Sequence, residues 1–242
     1  MSDNGIGRPQ DWQIHAQGDR CLIVVFGNTI DPAVGNRCLA LSNALRAANL
    51  AGVTDVVPSF AAVAVHYAPH PDGSGPTFDS LSESLRGLLS GDLGDAASAG
   101  RKIEIPVCYG GEHGPDLEAV ASACGMTPEQ IVAVHSGQPC RVYMLGFAPG
   151  HPYLGLHGKE IDVPRRTDPR TEVPAGSVAI ANRQTVIYPS RLPGGWNILG
   201  ATPLVMFDPR RQPPALLAPG DEVRFVPITE ARFRELRAEQ GR

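Results

Sequence analysis

The sequence predicts an α+β protein of two domains, and three observations carry that reading. The first ninety or so residues alternate β-branched runs with amphipathic helical stripes, the pattern of a small α/β layer. A small, polar, glycine-rich stretch, GDLGDAASAGR from Gly91 to Arg101, then interrupts the pattern as a linker would. From Cys140 to Pro227 the chain turns into short β-rich runs punctuated by Pro and Gly roughly every ten residues, which predicts a closed or sandwiched β structure. The expected organisation is a flexible N-terminus over 1–11, a first domain over 12–92, a linker over 93–101 and a second domain over 102–242. At 242 residues, 42% of them hydrophobic and 19% charged, the chain is long enough for two modest cores.

In the first domain, CLIVVFG (Cys21 to Gly27) is a buried strand, and Asp31-Pro32 supplies an N-cap with proline at the first helical position. Val34, Cys38, Leu41 and Leu45 then recur at three- and four-residue spacing, the stripe of a helix lying on a sheet. VTDVVPS and AAVAVHY read as two strands joined in hairpin fashion at Pro58-Ser59, followed by a helix from about Thr77 to Ser90. In the second domain, KIEIPVCYG is a strand and Pro115 to Ala123 a helix closed by Gly125. TPEQ (Thr127 to Gln130) has capping-box spacing with proline at the first helical position, and TEARFRELRAEQ is a terminal helix docked on the surface.

Composition excludes several classes. The formal net charge of −4 offers no general attraction to nucleic acid or an anionic membrane. LEAVASACGMTPEQIVAVHSG has a helix-turn-helix outline, but no Lys or Arg occurs between Lys102 and Arg141, so phosphate contacts are missing. The five cysteines are an odd number without CxxC spacing, as expected of free thiols in a reducing compartment. MSDNGIGRPQDWQIH lacks the basic and apolar regions of a signal peptide, and no apolar run approaches the roughly 20 residues of a membrane span. A cytoplasmic protein without a membrane partner is the expectation. The seven histidines show neither HxxxH nor HxH spacing, so no metal site is expected. A P-loop is absent, since Gly150 to Gly155 is followed by Leu156, and no GxSxG elbow occurs.

What remains is a block of loops where binding sites cluster on a rigid β scaffold. GFAPGHPYLG (Gly146 to Gly155), VPRRTDPRTEVPAGSVAIANRQTVIYP (Val163 to Pro189) and LPGGWNILG (Leu192 to Gly200) concentrate Pro, Gly, Arg and aromatic residues. Arg165, Arg166 and Arg170 are candidates to clamp a carboxylate or phosphate by bidentate hydrogen bonds, or else form a solvated face. Trp196 and Tyr188 either floor a pocket or seal the end of the β structure.

These three segments, with PPALLAPGDEVRFVPI near the C-terminus and GDRCLIVVFG near the N-terminus, resemble the carboxyltransferase-domain subunit 1 family over nearly the whole chain. That family holds KipI-type kinase inhibitors, 5-oxoprolinase B subunits (PxpB) and proteins labelled allophanate hydrolase subunit 1. The resemblance implies a ferredoxin-like first domain and a cyclophilin-like β-barrel second domain. It implies a site at the barrel mouth, with Pro193, Gly194, Gly195 and Trp196 on one wall and Phe147, Pro149, Gly150 and Tyr153 opposite. Arg166, Arg170, Ser177, Gln184 and Tyr188 would be its polar lining, and no catalytic residue is assigned. His151 stands where the family usually has Phe, and Asn182-Arg183 replaces a small pair.

The activity implied first is that of the B subunit in a multi-subunit 5-oxoprolinase that uses ATP to open the 5-oxoproline lactam to glutamate. Its partners would be a C subunit with the related second carboxyltransferase-type domain and a separate A subunit, and the chain alone would be inactive. Activating a stable ring amide with phosphate calls for cationic clamps and oriented backbone donors, which the arginine and glycine loops supply. Two other roles exist in the family. A KipI-like inhibitor would bind a histidine kinase without catalysis, and the arginine-rich mouth argues against the exposed apolar patch it needs. A urea carboxylase or allophanate hydrolase role would require a biotin carboxylase partner, and no Met-Lys-Met segment is present.

Overall fold

The computed structural model of the chain describes residues 12–70, 72–91, 93 and 100–240. The chain divides into two units, Met1–Ser98 and Ala99–Arg242. The expected flexible N-terminus, 1–11, and most of the expected linker, 94–99, lie outside the described residues.

The first unit is a four-stranded antiparallel sheet with two helices. Its elements are β1 (Gln13–Ala16), β2 (Cys21–Val25), α1 (Pro32–Ala48), β3 (Val53–Pro58), β4 (Ala62–Tyr67) and α2 (Phe78–Ser90). The strands lie in the order β1-β2-β4-β3. Strand β2 buries Leu22 and Val24, and β4 buries Val63 and Val65, at the period of two that turns alternate side chains to one face. On that face α1 lays Cys38, Leu41 and Leu45, and α2 lays Leu81 and Leu85. Asp31 caps α1 by accepting from the Ala33 and Val34 amides at 2.8 and 3.2 Å. Thr77 and Ser80 form a capping box on α2. Strand β1 was not expected, because QIHA is short, polar and largely exposed, with no apolar alternation to betray it. It exists by pairing with β2, Gln13 opposite Val25.

The second unit is a closed seven-stranded barrel in the order β10-β7-β6-β13-β5-β12-β9. The strands are β5 (Lys102–Tyr109), β6 (Cys140–Leu145), β7 (Pro152–Gly155), β9 (Ser177–Ala181), β10 (Gln184–Ile187), β12 (Asn197–Ala201) and β13 (Glu222–Pro227). A separate two-stranded ribbon joins β8 (Arg170–Val173) to β11 (Leu192–Gly194). The helices are α3 (Leu117–Cys124), α4 (Pro128–Gly137) and α5 (Glu230–Gln240). Closure is made by β13 running parallel to β5, Glu222 opposite Lys102 through Pro227 opposite Val107. Where these two strands enter, the buried Asp221 carboxylate accepts from the Arg101 backbone amide and guanidinium and from the Ala218 amide.

The interior takes one or two apolar side chains from each of six strands, among them Ile105, Val142, Leu154, Val178, Ile187 and Phe225. Helices α3 and α4 press Leu117, Val120 and Ile131 against Ile180 and Leu199. A second small core lies on the other face of β9, β10 and β12. There Ala179, Ala181, Val186, Tyr188, Trp196 and Ile198 meet Val173 of the ribbon. Strands β9 and β10 are buried at every residue because they are covered on both faces. Helix α5 docks through Phe233 against Cys108 and Ala201.

Two of the buried histidines in this unit, His135 and His157, meet at one hydroxyl. The Thr185 hydroxyl lies 2.9 Å from His135 Nε2 and 2.7 Å from His157 Nε2, and Tyr109 Oη lies 2.7 Å from His135 Nδ1. One hydroxyl proton serves one imidazole and the hydroxyl oxygen accepts from the other, so both rings are neutral with linked tautomers. Burial pushes both pKa values down, that of His157 from 6.5 to about 4 with help from Arg183. Since unfolding restores ordinary basicity, the stability these neutral rings contribute is complete above about pH 6.5 and is lost as pH falls towards 4. Urea midpoints should hold steady from pH 8 to 7 and drop between pH 6.5 and 4.5, His157 alone giving a slope approaching about 1.4 kcal/mol per pH unit. A flat profile across that window would mean that the rings take up protons as readily in the folded protein as in the unfolded chain.

Candidate functional site

The site grows from one buried carboxylate. Asp116, just before α3, accepts from Arg170 Nη1 and Nη2 at 2.8 Å each, from Arg166 Nη1 at 3.0 Å and from the Ile198 amide at 2.7 Å. Burial by itself would raise the Asp116 pKa, but the Arg170 hydrogen bonds, the Ile198 amide and both guanidinium charges outweigh it and hold the group below its usual value. Four attachments from three segments leave Asp116 4% exposed. The same loop is fastened again by the Arg166 amide on the Gly195 carbonyl at 2.7 Å and by Asn197 Nδ2 on the Pro164 carbonyl at 2.9 Å.

This fastened loop forms one side of a cavity of about 320 Å³. Arg165, Arg166 and Pro169 come from the loop; Pro193, Gly194, Gly195 and Trp196 from the ribbon and its exit; Phe147, His151, Tyr153 and Tyr188 complete the lining. The volume lies at the low end for small-molecule pockets. Three clefts of comparable size in the same unit, about 240, 340 and 400 Å³, carry no aromatic ring except the His157 imidazole. In the 320 Å³ cavity the rings brace one another at edge-to-face angles. Tyr153 meets Trp196 at 6.0 Å and 70°, and His151 meets Tyr188 at 5.1 Å and 87° and Phe147 at 5.3 Å and 72°. Gly194 has to be glycine, since a Cβ there would stand 2.1 Å from the Tyr188 hydroxyl oxygen. Phe147 sits at φ +70° with 64% of its surface exposed, an unusual backbone state for a bulky residue.

Burial sets the protonation of the lining. His151 is pushed from 6.5 to about 4 and is neutral at pH 7. Burial also raises the Tyr153 and Tyr188 phenols, against the opposing charge of Arg165, so both remain hydroxyl donors. The Arg165 guanidinium carbon lies 5.2 Å from the centre of the Trp196 ring.

Of the residues that sequence reasoning selected, Phe147, Tyr153, Arg166, Tyr188, Pro193, Gly194, Gly195 and Trp196 meet around this cavity. Five do not line it. Arg170 turns both terminal nitrogens to Asp116, so it holds the loop in place rather than clamping an anion. Ser177 lies behind Tyr188 and takes that residue's amide hydrogen bond on its carbonyl at 3.0 Å. Gln184 starts β10, about 13 Å along the strand from Tyr188 at the usual rise per residue. Gly150 packs against Met206 and Phe207, and Pro149 precedes it in the same turn. The cavity is also on the barrel's flank rather than at its mouth. Leu154 and Ile187 point into the interior, so their neighbours Tyr153 and Tyr188 point out, under the ribbon. His151 and Pro169 join the lining, and neither had been picked out as a contact.

Among the described residues one group has the donors of a metal site, Cys108, His113 and Glu230, with ligand atoms within 4.8 Å of one another. Its members already satisfy each other, His113 Nε2 to Glu230 Oε2 at 2.6 Å and the Cys108 thiol to the same oxygen at 3.7 Å, and so latch α5 onto β5. Sequence spacing could not reveal it, because His113 and Glu230 are 117 residues apart.

Asp116→Asn should therefore unfasten the whole loop. Loss of one partner from a buried charge pair costs about 3–5 kcal/mol, and the partial exposure of both guanidiniums puts the expected loss near the lower figure. Thermal melts should show the drop, with a shift in Trp196 emission; an unchanged Tm would remove Asp116 from its central place.

Comparison with known proteins agrees with this architecture. The family described as "Carboxyltransferase domain, subdomain C and D" matches residues 12–217. A 5-oxoprolinase B subunit of Bacillus subtilis (strain 168) is 39% identical over 236 residues, 95% of this chain and 98% of its own length. A 5-oxoprolinase B subunit of Escherichia coli O157:H7 is 54% identical over 130 residues, 54% of this chain and 60% of the relative. Among solved structures, TTHA0988 superposes with a TM-score of 0.76 at 39% identity, covering 86% of this chain. The chain spans only 40% of that longer protein. With a family match across most of its length and a relative that is similar from end to end, the chain belongs to the carboxyltransferase domain, subdomain C and D family.

Proposed function

We propose that this chain is the B subunit of an ATP-dependent 5-oxoprolinase, converting 5-oxoproline, ATP and water to glutamate, ADP and phosphate together with a C subunit and an A subunit. The observation that carries the reading is the end-to-end similarity to a Bacillus subtilis protein named as a 5-oxoprolinase B subunit. The cavity supports it: about 320 Å³ walled by aromatic rings and bordered by arginine suits a small ring bearing a carboxylate. A nucleotide needs more room and a phosphate cradle, so we place the ATP site where this chain meets the C subunit. In this scheme the lactam carbonyl oxygen attacks the γ-phosphorus and ADP leaves; water then opens the activated ring to glutamate and phosphate. Phosphorylation falls to the B and C subunits, and hydrolysis to the A subunit. We assign the first unit to a ferredoxin-like fold, in which β1 supplies the edge strand, and the barrel to a cyclophilin-like fold.

The same reading places the protein in the cytoplasm. The five cysteines are free thiols, and among the described residues no helix is long and apolar enough to cross a membrane.

ATP-dependent release of glutamate from 5-oxoproline tests the proposal, measured with this chain alone, with the C subunit, and with the C and A subunits together. Release is expected only in the full mixture. Silence there, with every protein folded, would overturn it.

A further inference from the structure

Three guanidiniums crowd one short loop, and among the described residues only two of them are engaged in ion pairs. Arg166 and Arg170 share Asp116, and Asp168 on the same loop contacts the Thr167 hydroxyl. Arg165 makes no ion pair among the described residues, although it lines the cavity with its guanidinium over the Trp196 ring. A guanidinium that lies over an indole and makes no ion pair has N–H donors to offer, and a guanidinium fork binds a carboxylate through two hydrogen bonds. The cavity lining also holds two buried polar atoms with no partner, His151 Nδ1 and Arg166 Nε. His151 is 2% exposed, and a buried polar group without a partner is rare in a folded protein unless a ligand or water supplies one. A neutral imidazole offers one donor and one acceptor.

We propose that Arg165 and His151 are the ligand-recognition pair of this cavity, Arg165 binding a carboxylate and the His151 imidazole hydrogen-bonding to a polar group on the ring that bears it. Arg166 and Arg170 position the loop. The identity of the ligand rests on the 5-oxoprolinase reading: 5-oxoproline carries a carboxylate, a lactam whose N–H or C=O can meet the one unpartnered imidazole nitrogen, and a methylene edge for the aromatic walls. The recognition pair itself rests on the cavity.

The two claims separate in one experiment. The full chain contains two tryptophans, Trp12 and Trp196, so Trp12→Phe leaves Trp196 as the sole indole reporter of the cavity. Three probes are titrated: 5-oxoproline, 2-pyrrolidinone, which has the lactam without the carboxylate, and cyclopentanecarboxylate, which has the carboxylate without the lactam. Arg165→Met should raise the Kd of both carboxylates at least tenfold and leave 2-pyrrolidinone unchanged. His151→Phe should raise the Kd of both lactams at least fivefold and leave cyclopentanecarboxylate unchanged, and both variants should melt at the wild-type temperature. Variants that bind all three probes like the parent, or a Trp196 signal that answers none of them, would overturn the pair. If this pattern appears while the assembled subunits release no glutamate, the pair stands and the activity reading falls. Normal release without the pattern leaves the activity reading standing and removes the pair.

Discussion

A single carboxylate organises the arginine loop on one side of the cavity. Asp116 is almost sealed from water, and a buried charge is tolerated only when opposite charge and hydrogen bonds surround it. Meeting that condition draws two arginines, fifty and fifty-four residues further along, and the amide of β12 onto one point at the head of α3. The loop between Val163 and Arg170 has little apolar material of its own to hold it in place, and its shape follows from these attachments. Arg165 and Pro169, which belong to the same loop, inherit their positions over Trp196 and beside Gly195.

The barrel beneath serves two cores at once. Alternate residues of β9 and β10 fill the closed interior, and the residues between them build the outer core under the ribbon. The Tyr153, Tyr188 and Trp196 rings are therefore continuous with this outer core, and the loop residues of the cavity are held against it. Bracing by Tyr188 against Gly194 and by Trp196 against Tyr153 fixes the apolar walls before any ligand arrives. Within this frame the positive charge is partitioned: part is neutralised by Asp116 for architecture, and part is left at the rim.

Much of this was legible in the sequence wherever a local signal existed. The caps at Asp31 and Thr127, the stripe of α1 and the Pro-Gly punctuation of the barrel strands all report physics that acts within a few residues. Strand β1 was not legible, because its stability comes from β2 and not from its own four residues. The aromatic and glycine walls could be named through the family resemblance, while the residues alone marked only a block of loops with Gly, Pro, Arg and aromatic side chains. The roles of the arginines could not. Only the fold shows that Asp116 claims Arg166 and Arg170 while Arg165 goes to Trp196, and a pattern of three basic residues is the same whichever one is left over. His151 reads from sequence as a departure from a family pattern, whereas burial without a partner for Nδ1 marks it as a group waiting for one.

The parallel pairing of β5 with β13 has a consequence for how the protein is made. Paired residues of these neighbours are 120 positions apart in the chain, and Arg101 cannot meet Asp221 until that whole span has left the ribosome. Contacts of such long sequence separation form late, because the entropy of closing the loop must be overcome before they add stability. While the second unit is being synthesised, β5 remains an open edge with apolar residues and unpaired backbone groups on offer. Nascent chains paused before Glu222 are thus the stage at which this protein is most exposed to mispairing and has most need of a chaperone.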